Sequence, residues 1–332
     1  MTTLLVVLGH ALLLLALGSA VAHALLGRWP AWEDLPVCLL AGIFCATLLA
    51  AAGHALGAPL WASAVALYTP SLAWAGLQLW RRRGPVTPRT LVPRLRWYEW
   101  LTLLCVAEVA LHALWCLNTL PMLFDDPLQH WSGRGRTLFG GVNWSWDPDS
   151  PVFMGFFGAR NYPLGIPVLR ALTATLAGGW DDVLSRADSL LFYLLSVAVV
   201  WLTTARICDS RAMGSAAGFI VAALPFQAIH AWAGNADIAV QAFAAGALAC
   251  LARGHWGLAG LLVAGGGWMK NDGLLLLAPG LALTCLVSNA PLASLVRRQP
   301  FAPDSGRALL LFLAGAATLA PWLLFQRLVG LS

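Results

Sequence analysis

The chain is 332 residues long, 59% hydrophobic and only 11% charged, with a formal net charge of +5. A water-soluble domain carries about a quarter charged residues, so a soluble protein is excluded and any activity sits in or beside a lipid bilayer. The seven cysteines are odd in number, form no CxxC and lie in or at the ends of apolar segments, which argues against a disulfide framework or a zinc knuckle.

Taken in chain order, apolar segments at about 2–26, 35–57, 59–80, 100–122, 183–206, 212–233, 236–252, 255–269, 273–289 and 307–329 predict about ten membrane helices. The first exceeds the apolar core of a signal peptide and no basic stretch precedes it, so it reads as a membrane helix. An open sheet edge cannot sit in lipid, so the predicted fold is an all-α, polytopic membrane protein. Three regions follow: an N-terminal three-helix region with an Arg-rich loop (1–99), a core (100–290) and a final membrane helix (291–332).

Arginines set the expected orientation. Arg81, Arg82, Arg83, Arg89, Arg94 and Arg96 crowd one short loop, and strict alternation places Arg206, Arg211, Arg253, Arg297, Arg298 and Arg307 on the same side. The positive-inside rule makes that side cytoplasmic in an inner (plasma) membrane protein. The 81–96 cluster reads as a topology determinant touching anionic lipid, not as a nucleic-acid site. The other side receives the long loop 123–182, the turns 234–237 and 270–273, and eight of the 15 acidic residues. No cytoplasmic loop is long enough for a nucleotide-binding domain, so a substrate would come from lipid or from outside.

Loop 123–182 carries Trp131, Trp144, Trp146 and Trp180, which argues against disorder and for interfacial segments. Its stretch 162–179, apolar but interrupted by Pro163, Pro167 and Arg170, predicts a short interfacial or re-entrant helix.

Asp125 and Asp126, placed where the chain leaves the bilayer, are candidates for a general base or a metal-binding carboxylate. A solvated helix end before Pro127 stays open as the alternative. Within eleven residues, Asp126, Trp131, Arg134 and Arg136 combine a carboxylate, an aromatic ring and two cations, the parts that bind a lipid-linked phosphosugar, with cations contacting lipid head groups beside an interfacial tryptophan as the open alternative. Arg160 is a further phosphate candidate, and Tyr162 sits in an Asn-Tyr-Pro turn. Asp237, Asp272 and Lys270, the sole lysine, occupy turns beside short helices, where an ionisable residue is a functional candidate by default. Glu108, His112 and Cys116 share one helix face and read as inward-facing packing groups rather than metal ligands. Asp181 and Asp182 read as a helix cap.

In their order along the chain, four motifs resemble the GT-C glycosyltransferase superfamily. Asp126-x4-Trp131-x2-Arg134-Gly135-Arg136 is similar to a D-x4-W-x2-K-A-K pattern of its bacterial members. Asn161-Tyr162-Pro163-Leu164-Gly165-Ile166-Pro167 is similar to a D-Y-P-L-L-x-P stretch, Asn235-Ala236-Asp237-Ile238-Ala239 to an A-D-L-P-L turn and Met269-Lys270-Asn271-Asp272-Gly273 to a K-N-E-G turn. The chain ends without the further helices or soluble domain that many members carry.

The resemblance implies an inverting transferase of the cell envelope, related to the protein O-mannosyltransferase and aminoarabinose transferase group. It would move a sugar from a polyprenyl-phosphate donor to the hydroxyl of a glycan, lipid or protein acceptor on the extracytoplasmic side. Asp126, or Asp125, would be the base. Arg134, Arg136, Arg160, Lys270 and Trp131 would bind the donor, and Tyr162, Asp237 and Asp272 would orient sugar or acceptor. No cofactor is required by the spacing, though outer carboxylates suit Mg²⁺ or Mn²⁺. Two other readings remain: a transporter or flippase for an anionic or lipid-linked solute, and a non-catalytic scaffold in a glycan-assembly complex.

Overall fold

The computed structural model describes residues 2–81, 95–122, 126–142, 147–153, 160–288 and 305–331. Asp125, Trp144, Trp146 and the arginines at 82, 83, 89, 94, 297 and 298 lie outside the described residues. Helices α1 (Thr2–Leu26), α2 (Leu35–Ala55), α3 (Leu60–Arg81) and α4 (Trp97–Thr119) precede a π-helical turn, Pro127–Gly133. Then come α5 (Arg134–Phe139), α6 (Gly165–Ala177), α7 (Asp182–Ile207), α8 (Arg211–Ala223), α9 (Pro225–Ala233), α10 (Asp237–Ala252) and α11 (Trp256–Met269). The chain continues through a 3₁₀ segment, Asn271–Leu276, into α12 (Leu277–Ser288), α13 (Ser305–Ala316) and α14 (Ala320–Val329). No strand occurs among the described residues.

Among the described residues, five helical stretches are long and apolar enough to cross a membrane: Leu5–Leu26, Trp32–Ala55, Trp97–Thr119, Asp182–Ile207 and Gly306–Val329. The protein is thus an all-α membrane protein. Two departures from the expected helices have local causes. Segment 212–233 is not one helix, because Pro225 lacks a donor and fits only a helix start, and α8 and α9 meet there at 62°. Helices α10 and α11, 16 and 14 residues long, are as short as expected, whereas the segment expected as a helix from residue 273 begins as the 3₁₀ turn Asn271–Leu276 before α12.

Packing relies on close backbone approach, as expected where lipid offers no hydrophobic drive to hold helices together. A Cβ on Gly18 would lie 1.7 Å from the Cys38 carbonyl oxygen, and one on Gly260 would lie 1.9 Å from that of Phe312, so α1 meets α2, and α11 meets α13, backbone to backbone. Gly18→Ala is expected to lower stability by about 1–3 kcal/mol through overpacking, read as a lower thermal midpoint in detergent. An unchanged midpoint would show that the two helices separate freely.

Ionic contacts sort the loops into two ends. At one end Asp34 pairs with Arg28 and Arg253, Glu33 with Arg206, and Glu99 with Arg211. Arg206, Arg211 and Arg253, expected on one side, thus share this end with the 28–34 turn. At the other end the Asn161 carbonyl accepts from Asn271 and Gln326, and the Val142 carbonyl lies 3.2 Å from His54 Nε2. Trp61 and Trp80, both 62% exposed, mark the two ends of α3.

Segment 162–179 forms the expected short helix, α6, which is enclosed by α1, α2, α3, α5 and α7, with Ile166, Leu169, Arg170 and Leu172 all buried. One expectation is corrected. Glu108 and His112 do not face inward but are exposed on α4. The expected cap is present, with Asp181 accepting from the Leu184 amide at 2.7 Å.

Candidate functional site

The π-helical turn begins at Asp126, with Pro127 in the first position, where a missing N–H costs nothing. Its wide turn stacks residues four apart, setting Asp126, His130 and Arg134 in a column. His130 Nε2 lies 3.9 Å from Asp126 Oδ1. The His130 ring meets Tyr162 edge-on at 5.3 Å, and Trp131 stacks on Tyr162 at 5.5 Å. Trp131 is fully buried, so its face is given to Tyr162 and not to a sugar.

Arg134 is fully buried as well. Its Nε donates to the Val152 carbonyl at 2.5 Å and its Nη1 to the Tyr162 carbonyl at 3.0 Å, while Nη2 is buried with no partner. Burial pulls its pKa down to about 9, which leaves it cationic at neutral pH. Burial also lowers the His130 pKa, with Asp126 opposing and Arg134 adding to the effect, so the imidazole is neutral at pH 7 and its Nδ1 is unpartnered.

A second group forms where α10 and α11 end side by side. Lys270 closes the C-terminus of α11, where a cation is favoured, and Asp237 opens α10, where an anion is favoured. Lys270 Nζ lies 2.8 Å from Asp237 Oδ1 and 3.3 Å from Asp272 Oδ2. Burial weakens the ammonium, but these two carboxylates outweigh it and hold its pKa above the usual lysine value. Asp272 and Asp237 keep 65% and 40% of their side chains exposed, and Asp126 keeps 51%, so three carboxylates reach outward.

Two links join the groups. The backbone carbonyl of Asn161, next to Tyr162, accepts from Asn271, next to Lys270, at 3.1 Å. Arg170 on α6 forks onto Asp188 of α7 at 3.0 and 3.1 Å, and donates to Ser132 Oγ in the π-helical turn and to the Gly234 carbonyl before α10, each at 2.8 Å. Gly234 has φ +84°, and a Cβ there would approach Pro127 to 3.2 Å, so the turn before Asp237 abuts the residue after Asp126. Arg186 adds a brace, donating to the Leu117 and Leu120 carbonyls at the end of α4.

The structure therefore brings together Asp126, Trp131, Arg134, Tyr162, Asp237, Lys270 and Asp272. Arg136 is exposed in the last turn of α5, and Arg160 pairs with Asp149 at 3.1 Å. Sequence reasoning missed His130, His230 and the Arg170–Asp188 pair. His230 on α9 is buried, with an unpartnered Nδ1, in the field of Asp237 and Lys270. No group of three or more His, Cys, Asp or Glu residues able to hold a metal ion occurs among the described residues. Two cavities of about 390 Å³ lie elsewhere, one between the α2–α3 turn, α5 and α6 and one against α7 and α10. Neither is lined by the clustered side chains.

No protein-family model, no curated protein and no solved structure matches the chain.

Proposed function

We propose that the protein is a membrane glycosyltransferase of the GT-C kind, with about ten spans. It moves a sugar from a polyprenyl-phosphate donor to an acceptor hydroxyl at the extracytoplasmic face, with inversion. The observation that carries this reading is the meeting of Asp126 and the Lys270 group at one end of the bundle although Asp126 and Asp272 stand 146 positions apart in sequence. An outward carboxylate, a cation at a helix end and a cationic buried arginine are the groups such a transfer uses.

In this mechanism Asp126 takes the proton of the acceptor hydroxyl as its oxygen bonds to the anomeric carbon. The bond from that carbon to the phosphate oxygen breaks, and its electron pair leaves with the polyprenyl phosphate. Lys270 meets the developing phosphate charge, with Arg134 Nη2 and Arg136 as further donors, while Asp237 and Asp272 hold sugar or acceptor hydroxyls. The exposed carboxylates are chemically suited to Mg²⁺ or Mn²⁺, and no step requires either.

The test supplies radiolabelled undecaprenyl-phosphate hexoses, with alcohol and glycan acceptors, to protein in nanodiscs and follows release of polyprenyl phosphate. Release is expected, and Lys270→Met should raise the donor KM about tenfold by removing a charge-assisted hydrogen bond. A second reading, a carrier for an anionic or lipid-linked solute, draws on the broken α8–α9 pair and the short helices around Lys270. Uptake into proteoliposomes with no release of polyprenyl phosphate from any donor would replace the first reading by the second.

A further inference from the structure

Three arginines meet at the end of the bundle away from the Asp126 and Lys270 groups. Arg28 lies in the α1–α2 turn, Arg206 in the last turn of α7 and Arg253 in the α10–α11 turn. Among the described residues only two carboxylates answer them. Asp34 takes Arg28 at 3.1 Å on one oxygen and Arg253 on the other, and also accepts from the Ala31 amide at 2.8 Å, while Glu33 takes Arg206. Asp209, three residues beyond Arg206, pairs with none of the three among the described residues. Asp34 is thereby saturated, and three guanidiniums against two carboxylates leave one positive charge over.

The surplus shows in the hydrogen bonds. Arg28 Nη2 donates to His255 Nε2 at 3.5 Å, so that imidazole nitrogen is a neutral acceptor and supplies no negative charge. The Arg253 side chain is only 7% exposed, and its Nε is buried with no partner. A buried donor left unpaired is costly, which points to an acceptor that the chain itself does not supply. Three residues after Arg253, α11 starts with no acid in its first turn and no side-chain cap, so the positive end of its dipole adds to the same field.

The surroundings suit a lipid head group. All three arginines sit at the ends of apolar helices, the level at which the phosphates of a bilayer lie, and the exposed Trp32 occupies the turn between Arg28 and Asp34. Leu25, three residues before Arg28, and Ile207, next to Arg206, are also exposed. We propose that Arg28, Arg206 and Arg253 form a binding site for the phosphate of an anionic phospholipid in the leaflet opposite the Asp126 group. The half-exposed Arg28 and Arg206 form its mouth and the buried Arg253 its floor, each giving charge-assisted hydrogen bonds to phosphate oxygens. The apolar side chains beside the arginines receive the acyl chains, which a soluble phosphate lacks. One surplus positive charge selects a lipid of net charge −1 over a zwitterionic one.

The experiment measures binding of dioleoylphosphatidylglycerol and dioleoylphosphatidylcholine to the full chain in detergent by native mass spectrometry. Phosphatidylglycerol is expected to bind more tightly. Arg28→Gln combined with Arg206→Gln should lower that affinity about fivefold per arginine, the weight of one basic residue at an anionic surface. Both side chains are half exposed, so the thermal midpoint should hold. Glu33→Gln releases Arg206 and should tighten phosphatidylglycerol binding, a gain that a merely structural role does not produce. It decides alone if the double variant fails to fold. Arg81→Gln, exposed at the end of α3 on the same side, controls for diffuse attraction and should change nothing. Equal affinity for the two lipids, a folded double variant that binds as the parent does, an equal loss in Arg81→Gln, or a Glu33→Gln chain that binds no tighter would each overturn the site. Displacement of the lipid by millimolar inorganic phosphate would overturn the lipid assignment and give the arginines to a soluble anion. None of these readouts depends on the transferase reading.

Discussion

Arg170→Met is expected to leave little folded protein. Arg170 and Asp188 are 1% and 8% exposed, and the guanidinium makes four hydrogen bonds, two of them to Asp188. Removing one partner of a buried ion pair costs about 3–5 kcal/mol because the other charge stays buried without compensation. That is a large share of the roughly 5–15 kcal/mol that holds a domain folded. The loss reaches three elements at once, since Ser132 and the Gly234 carbonyl lose their donor with Asp188. Arg170→Lys should rescue poorly, because an ammonium cannot reproduce the planar fork. Arg170→Met combined with Asp188→Leu should recover part of the loss, since an apolar pair of similar volume carries no stranded charge. The readout is monodisperse yield and thermal midpoint in detergent. If Arg170→Met melts with the parent, the pair is not what holds α6, α7 and the two turns together.

The contrast between Arg170 and the helices shows what a sequence can disclose. Hydropathy is local, so α1, α2, α4 and α7 were legible to within a few residues. A break is less legible, because Pro225 inside the apolar segment 212–233 is as compatible with a kink as with two helices at 62°. In sequence Arg170 is an interruption of an apolar stretch, and Asp188 lies within the apolar segment 183–206. Only the fold, by laying α6 against α7, makes one the counterion of the other. For the site, residue types and order pointed to Asp126, Lys270, Asp237 and Asp272, and the loops carrying them do share one end. What sequence could not supply was burial. Arg134 suits a phosphate by its chemistry, yet most of its fork is spent on the Val152 and Tyr162 carbonyls. His130 passed unremarked because one imidazole in a polar run carries no signal until its distance to Asp126 is known.

Asp126→Asn is expected to lower sugar transfer by about 10²–10⁴-fold, the usual contribution of a general base. The side chain is half exposed and lies 3.9 Å from His130, and asparagine has nearly its shape, so the fold should stand. The substitution then reports on proton removal alone: kcat should fall with the donor KM little changed, whereas Lys270→Met should act mainly on KM. Comparing Asp125→Asn, Asp126→Asn and the double variant assigns the base to one carboxylate or to the pair. Should the double variant transfer sugar as fast as the parent, neither is the base. The pH dependence gives an independent check. Burial holds His130 below its unfolded value, so above about pH 6.5 it is neutral in both states and affects neither rate nor stability. As pH falls below that value the unfolded chain takes up the proton first, so the stability contributed by neutral His130 is lost. At the lower folded value the imidazolium would also weaken Asp126 as a base. Transfer should therefore be flat through neutrality and decline only in acid, and in His130→Gln the part of that decline due to the imidazolium should disappear.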